Sequence, residues 1–166
     1  SNVVGEYNTG VGYAALLLNT GSNNTAVGYS ALETNSSGGR NTALGYRAGF
    51  GNTSGNNNTA AGPNALEITT TGSQNVGLGS YAGSYNTTAS NQFFLNNQDR
   101  ASYAGDQTLS LLYGTFAAAA TDQQLTVNAG YLKVHGGTTA GKIVLAETDA
   151  NGTSVTGFIA PASLAA

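Results

Sequence analysis

Five times in its first ninety residues the chain returns to one nine-residue phrase, and this repeat limits its possible folds more than any other feature. The copies begin at Asn8 (NTGVGYAAL), Asn24 (NTAVGYSAL), Asn41 (NTALGYRAG), Asn58 (NTAAGPNAL) and Asn75 (NVGLGSYAG), spaced by 16, 17, 17 and 17 residues. Asn opens every copy. Gly holds the fifth place (Gly12, Gly28, Gly45, Gly62, Gly79), and Ala the eighth (Ala15, Ala31, Ala48, Ala65, Ala82). Between them stand a small residue (Gly10, Ala26, Ala43, Ala60, Gly77) and an apolar one (Val11, Val27, Leu44, Ala61, Leu78).

A period of 17 is short. Helix-pair repeats run from about 33 residues and propeller blades from about 40. An extended strand advances about 3.3 Å per residue, so such a repeat accommodates two short strands and two turns, one circuit of a narrow β-solenoid. Each circuit carries two stops. One is the repeated glycine. The other is a glycine-rich or polar cluster: Gly21-Ser22-Asn23, Gly38-Gly39-Arg40, Gly55-Asn56-Asn57, Gly72-Ser73-Gln74. Glycine reaches positive φ without steric cost, and Asn tolerates it best among the rest. The predicted fold class is therefore all-β, a parallel β-roll or β-solenoid of about 17-residue coils with a smaller β-rich C-terminal region.

Composition agrees with stacking. Only 8% of the 166 residues are charged and the formal net charge is -3, while 40% are hydrophobic. Disorder goes with high charge and few apolar residues, the opposite balance. In a column of identical side chains, like charges repel whereas amides and hydroxyls bond along it. With five Lys or Arg and a pI near 4.7, no nucleic-acid partner is expected. No run approaches the roughly 18 apolar residues of a membrane span, so no membrane insertion is expected. Without Cys there is no disulfide framework.

So thin a coil has little to bury against a backbone ordering cost of about 1–2 kcal/mol per residue. A core shared between sister chains is the expected remedy, which makes the chain a homo-oligomer. In this reading Val11, Val27, Leu44 and Leu78 fill the coil, and Leu16, Leu32 and Leu66 face the neighbouring chains.

The units NTAVGYSAL and NTALGYRAG resemble the NTAxGYxAL repeats of phage tail-fibre proteins and related bacterial surface proteins. More distantly, they are similar to the head repeats of trimeric autotransporter adhesins of the YadA kind. The resemblance implies an intertwined homotrimer of left-handed parallel β-rolls. It covers roughly residues 8–91. Pro63 and Ser80 depart from the Tyr13, Tyr29, Tyr46 column, and Gly49 and Gly83 from the leucine column, which predicts looser later coils.

Residues 1–7 form a lead-in and 8–96 the repeat domain, ending in a decayed sixth copy near 92 where Phe93 and Phe94 replace small residues. The β-rich C-terminal region is assigned to 97–160 and a tail to 161–166. Short strands are expected at Leu109–Phe116, Leu125–Val127, Tyr131–His135 and Lys142–Thr148. The stretch Gly141–Gly152 is similar to a GKVLTSDANG segment of phage tail-fibre proteins.

No catalytic, cofactor or metal residues are assigned. His135 is the sole histidine, without the partners a triad or multi-His metal site needs. The carboxylates Glu6, Glu33, Glu67, Asp99, Asp106, Asp122, Glu147 and Asp149 are scattered, whereas glycosidase chemistry needs a pair about 5–10 Å apart. Asn-x-Ser/Thr triplets at Asn23, Asn35, Asn52, Asn57, Asn86 and Asn151 are by-products of an Asn- and Thr-rich repeat. Arg40 and Arg47 could hold an anionic sugar, a solvated face being the favoured reading, and the tyrosine column could stack on sugars or, as favoured, pack on an adjoining chain. Thr9, Thr25, Thr42 and Thr59 form a column, but an ice-binding face wants paired threonine columns.

The expected function is attachment: a structural, receptor-binding segment of a phage tail fibre, located in the virion, that touches a host-surface glycan or protein. The alternatives are a trimeric adhesin head on a bacterial surface and a glycan-cleaving tail spike. The receptor-binding residues are not legible, because the repeat positions are those that build the rod.

Overall fold

Each asparagine-to-asparagine stretch makes one circuit and returns to lie in register on the previous one. The computed structural model describes residues 5–116 and 124–127. All fall in the first of the chain's two units, 1–129, and only that unit is described. The repeats contribute β1 (Thr9–Val11), β2 (Thr25–Val27), β3 (Thr42–Leu44), β4 (Thr59–Ala61) and β5 (Val76–Leu78). Next come β6 (Gln92–Leu95), α1 (Tyr103–Leu109), β7 (Leu112–Thr115) and β8 (Gln124–Val127). The eight strands form one sheet in chain order. Pairing is parallel from β1 to β6, with Thr9, Thr25, Thr42, Thr59, Val76 and Phe93 in one row, and antiparallel from β6 to β8. The chain is a β-solenoid of about 17-residue coils, as the period predicts.

Two expectations are corrected. Each coil has one three-residue strand, not two. The remaining sides hydrogen-bond from coil to coil, as from Leu16 N–H to Ala31 O (3.1 Å) and Leu18 N–H to Glu33 O (2.9 Å), but repeated left-handed residues break up extended backbone. Ala14, Ser30, Arg47, Asn64 and Tyr81 recur at φ between 52° and 58°, and Leu16, Leu32 and Leu66 at 49° to 56°.

The second correction concerns which column is inside. Leu16, Leu32 and Leu66 are 1–3% exposed and fill the coil, whereas Val11, Val27 and Leu44 are 39–56% exposed. Alternation along the strand is the cause: Ala26, Ala43 and Ala60 are buried, so the residues on either side point outward. The interior is then alanine, leucine and asparagine. Gly49 and Gly83 adopt the left-handed φ of the leucines they replace, 59° and 61°. At Gly83 the Phe94 ring takes up the space, since a Cβ there would stand 2.5 Å from Phe94 Cδ2. Beside Gly49 a cavity of about 10 Å³ remains. The later coils keep their parallel register.

The repeated glycine has a definite steric cause. At Gly28 φ is 139°, and a Cβ there would lie 2.3 Å from the Gly45 carbonyl oxygen in the next coil. Only glycine lets backbone approach backbone this closely.

Beyond β6 the chain closes over the last coil. Leu109, expected in a strand, ends α1 instead, and β7 begins at Leu112. Ser102 caps the helix by accepting the Gly105 N–H at 3.0 Å. Tyr113 on β7 lays its ring against Phe94, centroids 5.2 Å apart, and donates its hydroxyl to Gln92 Oε1. The expected strands at 131–135 and 142–148, the 141–152 segment, the 161–166 tail and His135 lie outside the described residues.

Candidate interaction face

The repeated asparagines turn out to be internal fasteners. Asn8, Asn24, Asn41 and Asn58 each accept, through Oδ1, the backbone N–H of the next asparagine, at 2.8–2.9 Å. Asn75 does the same for Gln92, which takes the asparagine's place in the decayed copy. Each Nδ2 reaches across the coil to a carbonyl: Asn24 to Gly38, Asn41 to Gly55, Asn58 to Gly72. Each of these amides thus ties two sides of the coil together and joins the next coil, giving the following asparagine's N–H and a carbonyl across the coil their partners.

A second column of the same kind escaped the sequence reading. Asn19, Asn35, Asn52 and Asn86 recur at the same period and are buried. Asn35 Nδ2 donates to Asn19 Oδ1 at 2.5 Å, and Asn52 Nδ2 to Asn35 Oδ1 at 2.7 Å. The sequence carries the signal, since Asn35, Asn52 and Asn86 each open an Asn-x-Ser/Thr triplet at the repeat period. Thr69 stands where the next amide belongs. Asn52 Oδ1 and Thr69 Oγ1 are both buried without a hydrogen-bond partner among the described residues. Alanines 31, 48, 65 and 82 are fully buried, Ala15 partly, and none of the repeated Asn, Gly or Ala residues forms a surface site.

Function has to be sought outside, on the sheet's outer surface. Thr9, Thr25, Thr42 and Thr59 form one column, and Val11, Val27, Leu44, Ala61 and Leu78 the next. Across the glycine turn lies the tyrosine column, in which Tyr13 stacks on Tyr29 at 5.2 Å and 17°, and Tyr29 on Tyr46 at 5.5 Å and 16°. These rings are 49–73% exposed. No charged residue occupies any of the three columns, so the strip is apolar, aromatic and hydroxyl-bearing along the first three coils. The strip is continuous exposed apolar surface.

The charged groups lie elsewhere and are mostly engaged. Arg47 Nε meets Glu67 Oε1 at 2.7 Å and its guanidinium lies 4.0 Å from the Phe50 ring centre, so it does not stand free as the sequence suggested. Asp106 on α1 accepts the Tyr85 N–H at 3.0 Å through Oδ2, while its Oδ1 is buried without a partner. Burial pushes this carboxyl up to about 6. Burial, and then the neighbouring Tyr113, push Tyr103 up to about 12. Among the described residues no three His, Cys, Asp or Glu side chains gather into a metal-sized group. Comparison with protein-family models, with curated proteins and with solved structures returns no match.

Proposed function

We propose that the chain is a non-catalytic shaft and attachment segment of a trimeric fibre, of the kind phage tail fibres present to a host surface. The exposed Val/Leu and Tyr columns carry the reading. Although Leu16, Leu32 and Leu66 fill the coil, Val11, Val27 and Leu44 stay 39–56% exposed and Tyr13, Tyr29 and Tyr46 49–73% exposed, a continuous apolar and aromatic strip left open to solvent. Burying that strip between sister chains removes it from water at roughly 25 cal/mol per Å². Parallel chains also bring equivalent columns together at every coil. Three chains and the tail-fibre setting follow the NTAxGYxAL resemblance; the strip itself supports association.

Attachment then works by repetition. Symmetry presents each weak contact several times on one rigid rod, and avidity multiplies them without any single strong site. The partner in this reading is a host-surface glycan or protein, and the place is the virion. Sedimentation equilibrium of the purified chain tests the assembly. A trimer mass at micromolar concentration is expected, with Val27→Lys/Leu44→Lys shifting it to monomer. A monomer for the parent chain contradicts the proposal. Labelled chain retained on host cells tests attachment.

A further inference from the structure

The outer Val/Leu column ends at Leu95, and there the surface is concave. A cavity of about 180 Å³ is lined by Leu95, Asn96, Asn97, Arg100 and Leu111. Two leucines give it apolar walls, Leu111 being half exposed. Arg100 supplies the polar end, and it is held in place: Nε donates to Asn96 Oδ1 and Nη1 to Gln98 Oε1, both at 3.1 Å. Asn96 is fixed in turn, its Nδ2 donating to Gln98 O at 2.5 Å.

This guanidinium is oriented and makes no direct ion pair, although it attracts the buried Asp106 carboxylate at longer range. Arg47–Glu67 is the only ion pair among the described residues, so no described carboxylate lies within 4.0 Å of Arg100. The nearby acids are engaged elsewhere. Asp99 accepts the Ala101 N–H at 2.8 Å, and Asp106 accepts the Tyr85 N–H at 3.0 Å. Arg100 Nη2 has no partner among the described residues, and Asn97 is exposed beside it. A planar cation with free donors, pre-set by two amide acceptors, suits a carboxylate. A pocket below the roughly 300 Å³ at which drug-sized sites begin holds one ring and no more.

We infer that the Leu95–Arg100–Leu111 cavity binds a single acidic sugar ring, with its carboxylate on Arg100 and its apolar face against the leucines. The biological meaning rests on the attachment reading above, for it names an acidic glycan as what the fibre touches. The binding itself does not rest on it.

Saturation-transfer NMR on the full chain with D-glucuronate, D-glucose and acetate is the test. Glucuronate should bind at least ten-fold more tightly than either control. Arg100→Gln should weaken it ten-fold or more. Leu111→Asp, an exposed position, should do likewise by giving Arg100 an internal partner, with circular dichroism confirming the fold. Equal binding of glucose and glucuronate overturns the carboxylate assignment, and equal binding of acetate overturns the ring. Unchanged binding in both variants, or no glucuronate binding, overturns the site. Glucuronate binding without retention on cells would leave the pocket standing and remove the attachment reading.

Discussion

Replacing Thr69 with Asn should stabilise the protein, because it restores the one missing rung of the inner amide column. In the wild type the column runs Asn19, Asn35, Asn52 and then fails, leaving Asn52 Oδ1 and Thr69 Oγ1 buried without hydrogen-bond partners. An amide at 69 would donate to Asn52 Oδ1 as Asn52 does to Asn35 at 2.7 Å. It would also donate to the Gly72 carbonyl as Asn52 does to that of Gly55 at 3.0 Å. The Gly72 oxygen already accepts Asn58, but the Gly55 oxygen accepts both Asn41 and Asn52, so the double role has a precedent one coil away. The extra atom has room in the small cavity that Thr69, Asn52 and Gly49 line. A buried unsatisfied polar group costs about 1–3 kcal/mol. Allowing for imperfect fit, the gain should be about 1–2 kcal/mol, which at a urea m-value of about 2 kcal/mol/M raises the midpoint by about 0.5–1 M. Urea melts followed by circular dichroism at one fixed protein concentration measure it, since association makes stability concentration-dependent. Thr69→Val is the control: it removes the stranded hydroxyl but leaves Asn52 Oδ1 unpaired, so it should gain less than half as much. A Thr69→Asn midpoint at or below wild type with unchanged m refutes the reasoning, as does Thr69→Val matching it.

Two further outcomes follow from the coil and its cap. Gly45→Ala places a Cβ 2.7 Å from the Gly62 carbonyl carbon at φ 135°, and should cost about 3 kcal/mol or more. Gly49→Ala, where φ is 59° and the nearest atom is Leu32 Cδ2 at 3.0 Å, should cost only about 1 kcal/mol; urea midpoints compare the two. Asp106 makes the cap pH-sensitive in a stated direction. Its folded value of about 6 lies above the ordinary carboxylate value of 3.8, so the folded chain binds the proton more tightly. The carboxyl's contribution is most favourable below about 3.8 and is lost as pH rises through about 6. The loss is at most about 3 kcal/mol, at 1.36 kcal/mol per unit. Asp106→Asn should remove this dependence, so the stability difference between variant and wild type should widen from pH 4 to pH 7.5 in the variant's favour. A difference that stays constant across that range refutes it.

The period made the fold legible, because stacking forces every coil to repeat its geometry and so prints the same residues at the same places. The carbonyl of Gly45 bearing on Gly28 is why the fifth place is always glycine, and the Nδ2 bridge to a far carbonyl is why the first is always asparagine. The facing of the apolar columns was not read correctly. Valine ranks above alanine for burial, yet in β2, β3 and β4 alanine takes the inward strand position, and only in β6 does a large residue, Phe94, stand in that row. The second asparagine column obeyed the same period but lay among loop-like residues, and Thr69 interrupted it. Helix α1 has a cap at Ser102 but only seven residues, too few to show a 3.6 periodicity. The Arg100 cavity is assembled from β6, the turn after it and Leu111, and no local spacing announces it.

Disulfide closure between equivalent surface positions tests most directly whether each repeat is one circuit of the coil. The chain has no native cysteine, and Ser37, Ser54 and Thr71 are exposed at successive 17-residue intervals, away from the tyrosine and valine columns. Neighbouring coils lie about 4.8 Å apart, inside the 4.4–6.8 Å that a disulfide spans between Cα atoms, and coils two apart lie about 9.6 Å apart, outside it. Ser37→Cys/Ser54→Cys should therefore close within one chain under mild oxidation, read by mass spectrometry, while Ser37→Cys/Thr71→Cys stays open. Failure of the first pair to close, or equal closure of the second, would contradict the stacked coil.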